Sequence, residues 1–340
     1  MLQFCPRFKR RGLTWEEFGM ARDLTKALIA LTAVLTATGA TAQQWPTKQI
    51  KVIVPFTAGS ATDIVARAVF EQIGREHGQS VVVENRGGGG TTIGSAAVAK
   101  SDPDGYTVLV NSTSHVVVAT TFPKLSYNVA EDFTALSGLA AQPFVITTRT
   151  KYKSLADFIA YGKANPGKIN YGSAGIGTSG MLFSERLALA TGIKMTHVPF
   201  RGTPEAMTEI IADRLDMFPG PVVSVVGLVA DKKVAALAVS TPKRAKAFPD
   251  VPTLQEAGVK GADYTFWAGA FVPSKTPKAV SSRIHGEIIK ALANPEVVKR
   301  IDGLGAEPMP MAMADFDKFV REEIAMHADI YKKAGLATPK

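Results

Sequence analysis

Gly175, Gly177 and Gly180 stand at the spacing G-x-G-x-x-G within Gly172-Ser173-Ala174-Gly175-Ile176-Gly177-Thr178-Ser179-Gly180. Between a strand and a helix, that spacing lets backbone N–H groups cradle a dinucleotide pyrophosphate. The same chemistry needs an acidic residue about 20 positions on to hold the ribose. The stretch there reads His197-Val198-Pro199-Phe200-Arg201 and has no acid. Arg201 suits a 2′-phosphate, but an exported chain, as argued below, seldom meets free NADP. What survives is simpler. Small residues and hydroxyls, with Ala174, Thr178 and Ser179 among them, precede a helix N-terminus and form an anion cradle.

Three further loops have the same character. Pro55-Phe56-Thr57-Ala58-Gly59-Ser60-Ala61-Thr62-Asp63 leaves an apolar run and enters a helix-period segment. Its small residues let backbone N–H groups approach a ligand, and Ser60 or Thr62 caps the helix. Pro199-Phe200-Arg201-Gly202-Thr203-Pro204-Glu205-Ala206 joins another strand to a capped helix, with Arg201 available to pair with an anion. Asn111-Ser112-Thr113-Ser114-His115 is a polar cluster at a strand end. Each also reads as an ordinary turn, with Arg201 a solvated or inter-lobe residue and His115 a surface residue beside a helix cap.

Catalytic patterns are sparse. The chain has no G-x-S-x-G elbow, no H-E-x-x-H and no Walker Gly-Lys-Ser/Thr. His77, His115, His197, His285 and His327 show no metal-ligand spacing. Ser114-His115 is the only adjacent Ser–His pair, and sequence neighbours seldom make a productive geometry. Neither a metal nor a cofactor is expected.

The elements that position these loops alternate. Strands are expected at Ile50–Val54, Val81–Glu84 and Thr107–Asn111, with helices over Thr62–His77 and Thr92–Lys100. Ile64, Val65, Ala68, Val69 and Ile73 share the face of the first helix. A second series has strands at Val145–Thr147, Ile169–Tyr171, Thr196–Pro199, Leu215–Phe218 and Ala235–Val239. Its helices start at Ser154, near Ser179, at Thr203-Pro204 and near Val222. Thr276-Pro277 and Asn294-Pro295 are cap-then-proline starts, and Asp315–Lys333 is the last helix. Two such series predict two α/β lobes, each a mostly parallel sheet flanked by helices. Ligands in such sheets bind beyond the carboxyl ends of the strands.

The first residues read as a leader. Arg22 and Lys26 precede the apolar run Ala27–Leu35, and Ala40-Thr41-Ala42 has small residues where a signal peptidase cuts. Residues 1–42 are assigned as the signal peptide, with Met20 an alternative start. The apolar run is about half the roughly 20 residues that span a bilayer. Six basic and three acidic residues precede Gln43, so cleavage lowers the net charge from +9 to +6 and removes Cys5, the only cysteine. A chain without cysteine suits an oxidising compartment. A composition 46% hydrophobic and 20% charged excludes a disordered chain. No basic block outside the leader points to nucleic acid.

In order along the chain stand Trp45-Pro46, Ile53-Val54-Pro55-Phe56 with its small loop to Asp63, and Val83-Glu84-Asn85-Arg86 with Gly87 to Gly90. Asp104-Gly105-Tyr106-Thr107, Tyr171-Gly172-Ser173, Pro199-Phe200-Arg201-Gly202 with Ala206, Pro249-Asp250-Val251-Pro252-Thr253 and Glu256-Ala257-Gly258 follow. With these markers the chain resembles the periplasmic solute-binding proteins of tripartite tricarboxylate transporters, the Bug family. The likeness runs from Trp45 to Leu336. It implies a two-lobed Venus flytrap of the type II periplasmic-binding-protein fold, with lobe 1 formed by 43–142 plus 268–340 and lobe 2 by 143–267. It also implies that the loops Phe56–Asp63 and Ala174–Ser179 clasp a ligand carboxylate from opposite lobes, much of the holding coming from backbone groups and ordered waters.

Two departures bear on the ligand. The family usually has Gly-Gly where this chain has Gly59-Ser60, which adds a hydroxyl. Amino-acid-binding members carry an Asp where Gly220 stands here. The loss of that carboxylate predicts a ligand without an amine: a mono-, di- or tricarboxylate, aromatic acids included. The expected ligand-binding residues are Phe56, Ala58, Gly59, Ser60, Asp63, Ser112, Ser114, His115, Ala174, Gly175, Gly177, Thr178, Ser179, Arg201 and Gly220. The expected function is uptake by a monomeric periplasmic protein that closes over its ligand and delivers it to integral-membrane transporter subunits. The hinge is placed at Ala141-Gln142-Pro143 and Trp267-Ala268-Gly269. A sensor feeding a membrane kinase is the alternative, and a periplasmic hydrolase or lost-cofactor reductase stands behind it.

Overall fold

The computed structural model describes residues 45–333. The expected signal peptide, its cleavage site and Cys5 lie outside the described residues. β1 (Ile50–Val54), β2 (Val81–Asn85) and β3 (Thr107–Ser112) pair in parallel in the order β2-β1-β3. Their crossovers are α1 (Ala61–His77) and α2 (Thr92–Ala99). In β1 every side chain but that of Lys51 is buried, which a central strand covered on both faces requires. α1 buries Val65, Ala68, Val69 and Ile73 as expected, while Ile64 is only half buried. α3 (Ser114–Thr121) begins directly after β3.

β4 (Phe133–Thr148) is far longer than the expected Val145–Thr147. Nearly all of it is buried, so no alternation marks it, and Gly138 and Pro143 interrupt its apolar pattern. After it come α4 (Leu155–Ala164), β5 (Ile169–Ser173), α5 (Ser179–Thr191), β6 (Met195–Pro199), α6 (Thr203–Ile211), β7 (Met217–Pro221), α7 (Val222–Ala230) and β8 (Ala235–Val239). The chain then forms β9 (Thr265–Pro273), α8 (Lys278–Ala293), α9 (Pro295–Gly303), β10 (Glu307–Pro308) and α10 (Met313–Lys333).

Two helix starts carry the side-chain cap that the sequence signalled. Ser154 accepts a hydrogen bond from the Asp157 backbone N–H at 3.1 Å, and Asn294 from that of Glu296 at 2.9 Å. Two cap assignments shift by one residue. Gly202, not Thr203, caps α6, because the chain stays extended through Gly202. Pro277, extended at ψ 138°, precedes α8, so the helix begins after the proline rather than at it.

Two sheets share one strand. From Phe133 to Pro143, β4 pairs antiparallel with β9, which in turn pairs with β3. From Phe144 to Thr148 it pairs antiparallel with β7 and β8. Beyond β7 lie β5 and β6, parallel to each other and to β7. Each lobe therefore has a parallel trio of strands, with antiparallel crossing strands beside it. The change of sheet falls between Pro143 and Phe144, where Ala141 faces Trp267, Gln142 faces Phe266 and Pro143 faces Thr265. α10 closes the fold by packing on α3 and β4.

Candidate functional site

Four helices start at one small cavity between the sheets. It is lined by Ser60, Ala61 and Thr62 at the start of α1, Ser114 of α3, Thr178, Ser179 and Gly180 at the start of α5, and Thr203 of α6. Phe56, Phe144, Ala174, Phe218, Pro219, Pro221 and Phe266 complete the wall. The cavity holds about 30 Å³, room for a water or two. None of the lining side chains carries a charge. Each helix start carries a partial positive charge, worth about 0.3–1 kcal/mol to an anion and up to ~2 kcal/mol where partly buried.

The first wall is set by Asp63. Its Oδ2 accepts the Gly59 N–H at 2.9 Å, its Oδ1 accepts Asn85 Nδ2 at 2.9 Å, and Arg67 Nε lies 3.1 Å from it. Asn85 ends β2 beside the end of β1 and also donates to Phe56 O at 3.0 Å. The loop is thus pinned at both ends, with Ser60 turned into the cavity. Ser60 Oγ is buried and has no hydrogen-bond partner.

The second wall is held by Ser173 at the end of β5. Its hydroxyl donates to Gly175 O at 2.9 Å, accepts the Gly175 N–H at 3.1 Å and lies 2.7 Å from His197 Nε2. Burial lowers His197 to about 4, so its neutral ring donates from Nε2 and all three groups are satisfied. Thr178 Oγ1 closes the loop by donating to Gly175 O at 2.7 Å. The walls meet at the Ser179 N–H, which donates to Ser114 Oγ at 3.1 Å.

The structure brings Phe56, Ser60, Ser114, Ala174, Thr178 and Ser179 together on the cavity. The other expected residues lie elsewhere. Asp63 braces the loop and does not line the cavity. Ala58 and Gly59 are exposed on its outer side, where a Cβ on Gly59 would face Pro204 at 3.5 Å. Ser112 is buried behind α3 and accepts the Ser114 N–H at 3.2 Å. Gly175 and Gly177 form the backbone turn, Gly177 packing against Thr121 and Phe122 at the end of α3. Arg201 is exposed and gives only its backbone N–H, to Glu205 Oε2 at 3.0 Å.

His115 departs furthest from expectation. It is neither a surface residue nor a donor in the cavity but is fully buried, its ring 4.3 Å from that of Phe271 and 5.0 Å from that of Phe133. Neither ring nitrogen has a partner, and burial lowers it to about 3. It is no base for Ser114. Gly220 also points away: a Cβ there would strike Val225 at 2.4 Å and Thr147 Oγ1 at 2.9 Å. The β7 residues that line the cavity are Phe218, Pro219 and Pro221. The absence of a carboxylate therefore rests on the whole uncharged lining.

Sequence reasoning missed the apolar wall. Phe144, Phe218 and Phe266 come from three strands, and Phe144 meets Phe266 at 5.3 Å between ring centroids. Phe144 and Phe266 flank the two crossings read from Pro143 and Trp267, which was the available signal.

The family model described as the tripartite tricarboxylate transporter family receptor matches residues 65–336. A protein of Pseudomonas sp. strain P51, described as a UPF0065 protein in the tcbD-tcbE intergenic region, is 36% identical over 302 residues, covering 86% of this chain and 90% of its own. The solved periplasmic binding protein BugD is 31% identical with a TM-score of 0.83, covering 86% of this chain and 99% of that one. A protein of R. palustris solved with adipate is 29% identical with a TM-score of 0.83, covering 86% and 99%.

Proposed function

This chain belongs to the tripartite tricarboxylate transporter receptor family, and from that premise we propose that it captures a small carboxylate between its lobes in the periplasm. It then hands the ligand to the membrane subunits of a tripartite-tricarboxylate-type transporter. The observation that carries this reading is the convergence of four helix starts on a cavity with no charged side chain. Such a site favours an anion and has no counter-charge for an ammonium group. The ligand is a carboxylate without an amine. Its charged end meets the hydroxyls and N–H groups of Ser60, Ser114, Thr178 and Ser179, and its apolar part lies against Phe56, Phe144, Phe218 and Phe266.

The lobes are 43–142 with 268–340, and 143–267. The leader of residues 1–42 is removed on export, and the mature protein acts as a monomer. Entry requires the Ser114–Ser179 contact to part, and a ligand touching both walls then shifts the balance towards closure by its differential affinity for the two states. The adipate carried by the R. palustris neighbour supports a carboxylate with an apolar stretch.

Titration calorimetry with adipate, 3-phenylpropionate, citrate, glutamate and aspartate tests the reading. At least one plain carboxylate binds, and the two amino acids do not. Binding of glutamate or aspartate with no plain carboxylate bound overturns it.

A further inference from the structure

A second cavity lies behind strand β9. It encloses about 420 Å³, within the range of small-molecule sites. α10 walls one side, and Arg186 of α5 with Pro242, Asp263 and Tyr264 walls the other. β9 divides the two cavities: Phe266 faces the one between the helix starts, and its neighbours Thr265 and Trp267 face this one. Successive side chains on a strand point to opposite faces, so one strand serves both.

The chemistry of this cavity is different. Half-buried Phe319 supplies aromatic surface, with the buried rings of Tyr264 and Trp267 beneath it. Glu323, only 15% exposed, accepts a hydrogen bond from Trp267 Nε1 at 2.9 Å. His327 is 1% exposed, with Nε2 3.5 Å from Glu323 Oε2 and Nδ1 without any hydrogen-bond partner. The same Nε2 lies 3.5 Å from the Tyr264 hydroxyl. Asp263 Oδ2 accepts from Gln255, while its buried Oδ1 has no partner. Arg186 is the only cation in the lining. Its guanidinium lies 5.7 Å from the Tyr264 ring centre and donates to Gly261 O at 3.1 Å. Two carboxylates against one engaged guanidinium leave the cavity negative.

We propose that this cavity is a second binding site, for a small organic amine bearing one ammonium group on a flat apolar body. The ammonium pairs with the partly exposed carboxylate of Glu323, with Asp263 adding negative charge from the facing wall. The flat body lies on Phe319. The site does not depend on what the other cavity binds.

Titration calorimetry at pH 7 with 2-phenylethylamine, phenylalanine and 3-phenylpropionate varies the charge on one aromatic body. The amine binds. Glu323→Gln, which keeps an acceptor for Trp267, weakens it at least tenfold while the melting temperature stays near that of the parent. Met326→Trp, at the half-exposed rim, weakens it similarly by filling the mouth. Ser114→Ala leaves amine binding unchanged. The proposal is overturned if the amine fails to bind the parent protein, if Glu323→Gln has no effect, if phenylalanine binds and the amine does not, or if 3-phenylpropionate competes with the amine.

Discussion

Ser114 Oγ lies 3.1 Å from the backbone nitrogen of Ser179 and 3.2 Å from its hydroxyl, tying the first turn of α3 to the first turn of α5 across the junction of the two sheets. The residues are 65 apart in sequence. A hydrogen bond between two helix starts satisfies one orphan N–H and fixes how far apart the lobes stand when closed.

Ser114→Ala removes that bond and leaves both helices intact. A buried hydrogen bond contributes about 1 kcal/mol, so carboxylate affinity falls roughly fivefold and small-angle scattering shows a more open average shape. Unchanged affinity and shape would assign closure to other contacts.

Gly90→Ala blocks closure by volume rather than by bonding. A Cβ on Gly90 would lie 2.0 Å from the Ile176 carbonyl oxygen, which is backbone and has no rotamer to escape into. Its φ of +62° adds about 1 kcal/mol of strain. The variant folds with a modestly lower melting temperature and binds carboxylate at least tenfold more weakly. A variant with parental affinity would falsify the close approach of these loops as a requirement for binding.

Asp63→Ala acts on stability. The change takes one acceptor away from each of the Gly59 N–H, Asn85 and Arg67. Breaking a fully buried pair costs about 3–5 kcal/mol, and the partial exposure of Arg67 lowers the expectation to about 2 kcal/mol. Urea denaturation measures it. A loss under about 0.5 kcal/mol would mean that the loop does not need its brace.

His115→Phe changes the response to acid. The folded protein holds His115 neutral down to about pH 3, whereas an unfolded chain protonates it near 6.5. The stability involved is complete above pH 6.5 and drains away as the pH falls from there towards 3, by up to about 1.4 kcal/mol per pH unit. His197, lowered to about 4, adds a similar slope. The phenylalanine variant therefore loses less stability between pH 7 and pH 5 than the parent. Equal losses in the two proteins would show that His115 is accessible to protons.

Elements whose cause is local were legible in the sequence. Ser154 with Asp157, and Asn294 with Pro295, named their helices because a cap acts within one turn. The loop from Phe56 to Asp63 could be read because strand, small residues and helix follow one another directly. What depended on distant packing was hidden. His115 looked like a surface residue because Phe133 and Phe271, which enclose it, lie 18 and 156 positions away. The surroundings of Gly220 were hidden because Val225 and Thr147, which a Cβ there would strike, belong to other elements. Phe144 and Phe266 line one cavity only because the two crossings lie side by side.

The uncharged lining has a last consequence. Serine and threonine hydroxyls, phenyl rings and main-chain amides neither gain nor lose protons in the range where most proteins survive. Acidity can therefore act on capture almost solely through the guest. As the medium sours, grip should fade only when the metabolite's own carboxyl takes up a proton, and a weaker acid should be let go at a higher pH than a stronger one.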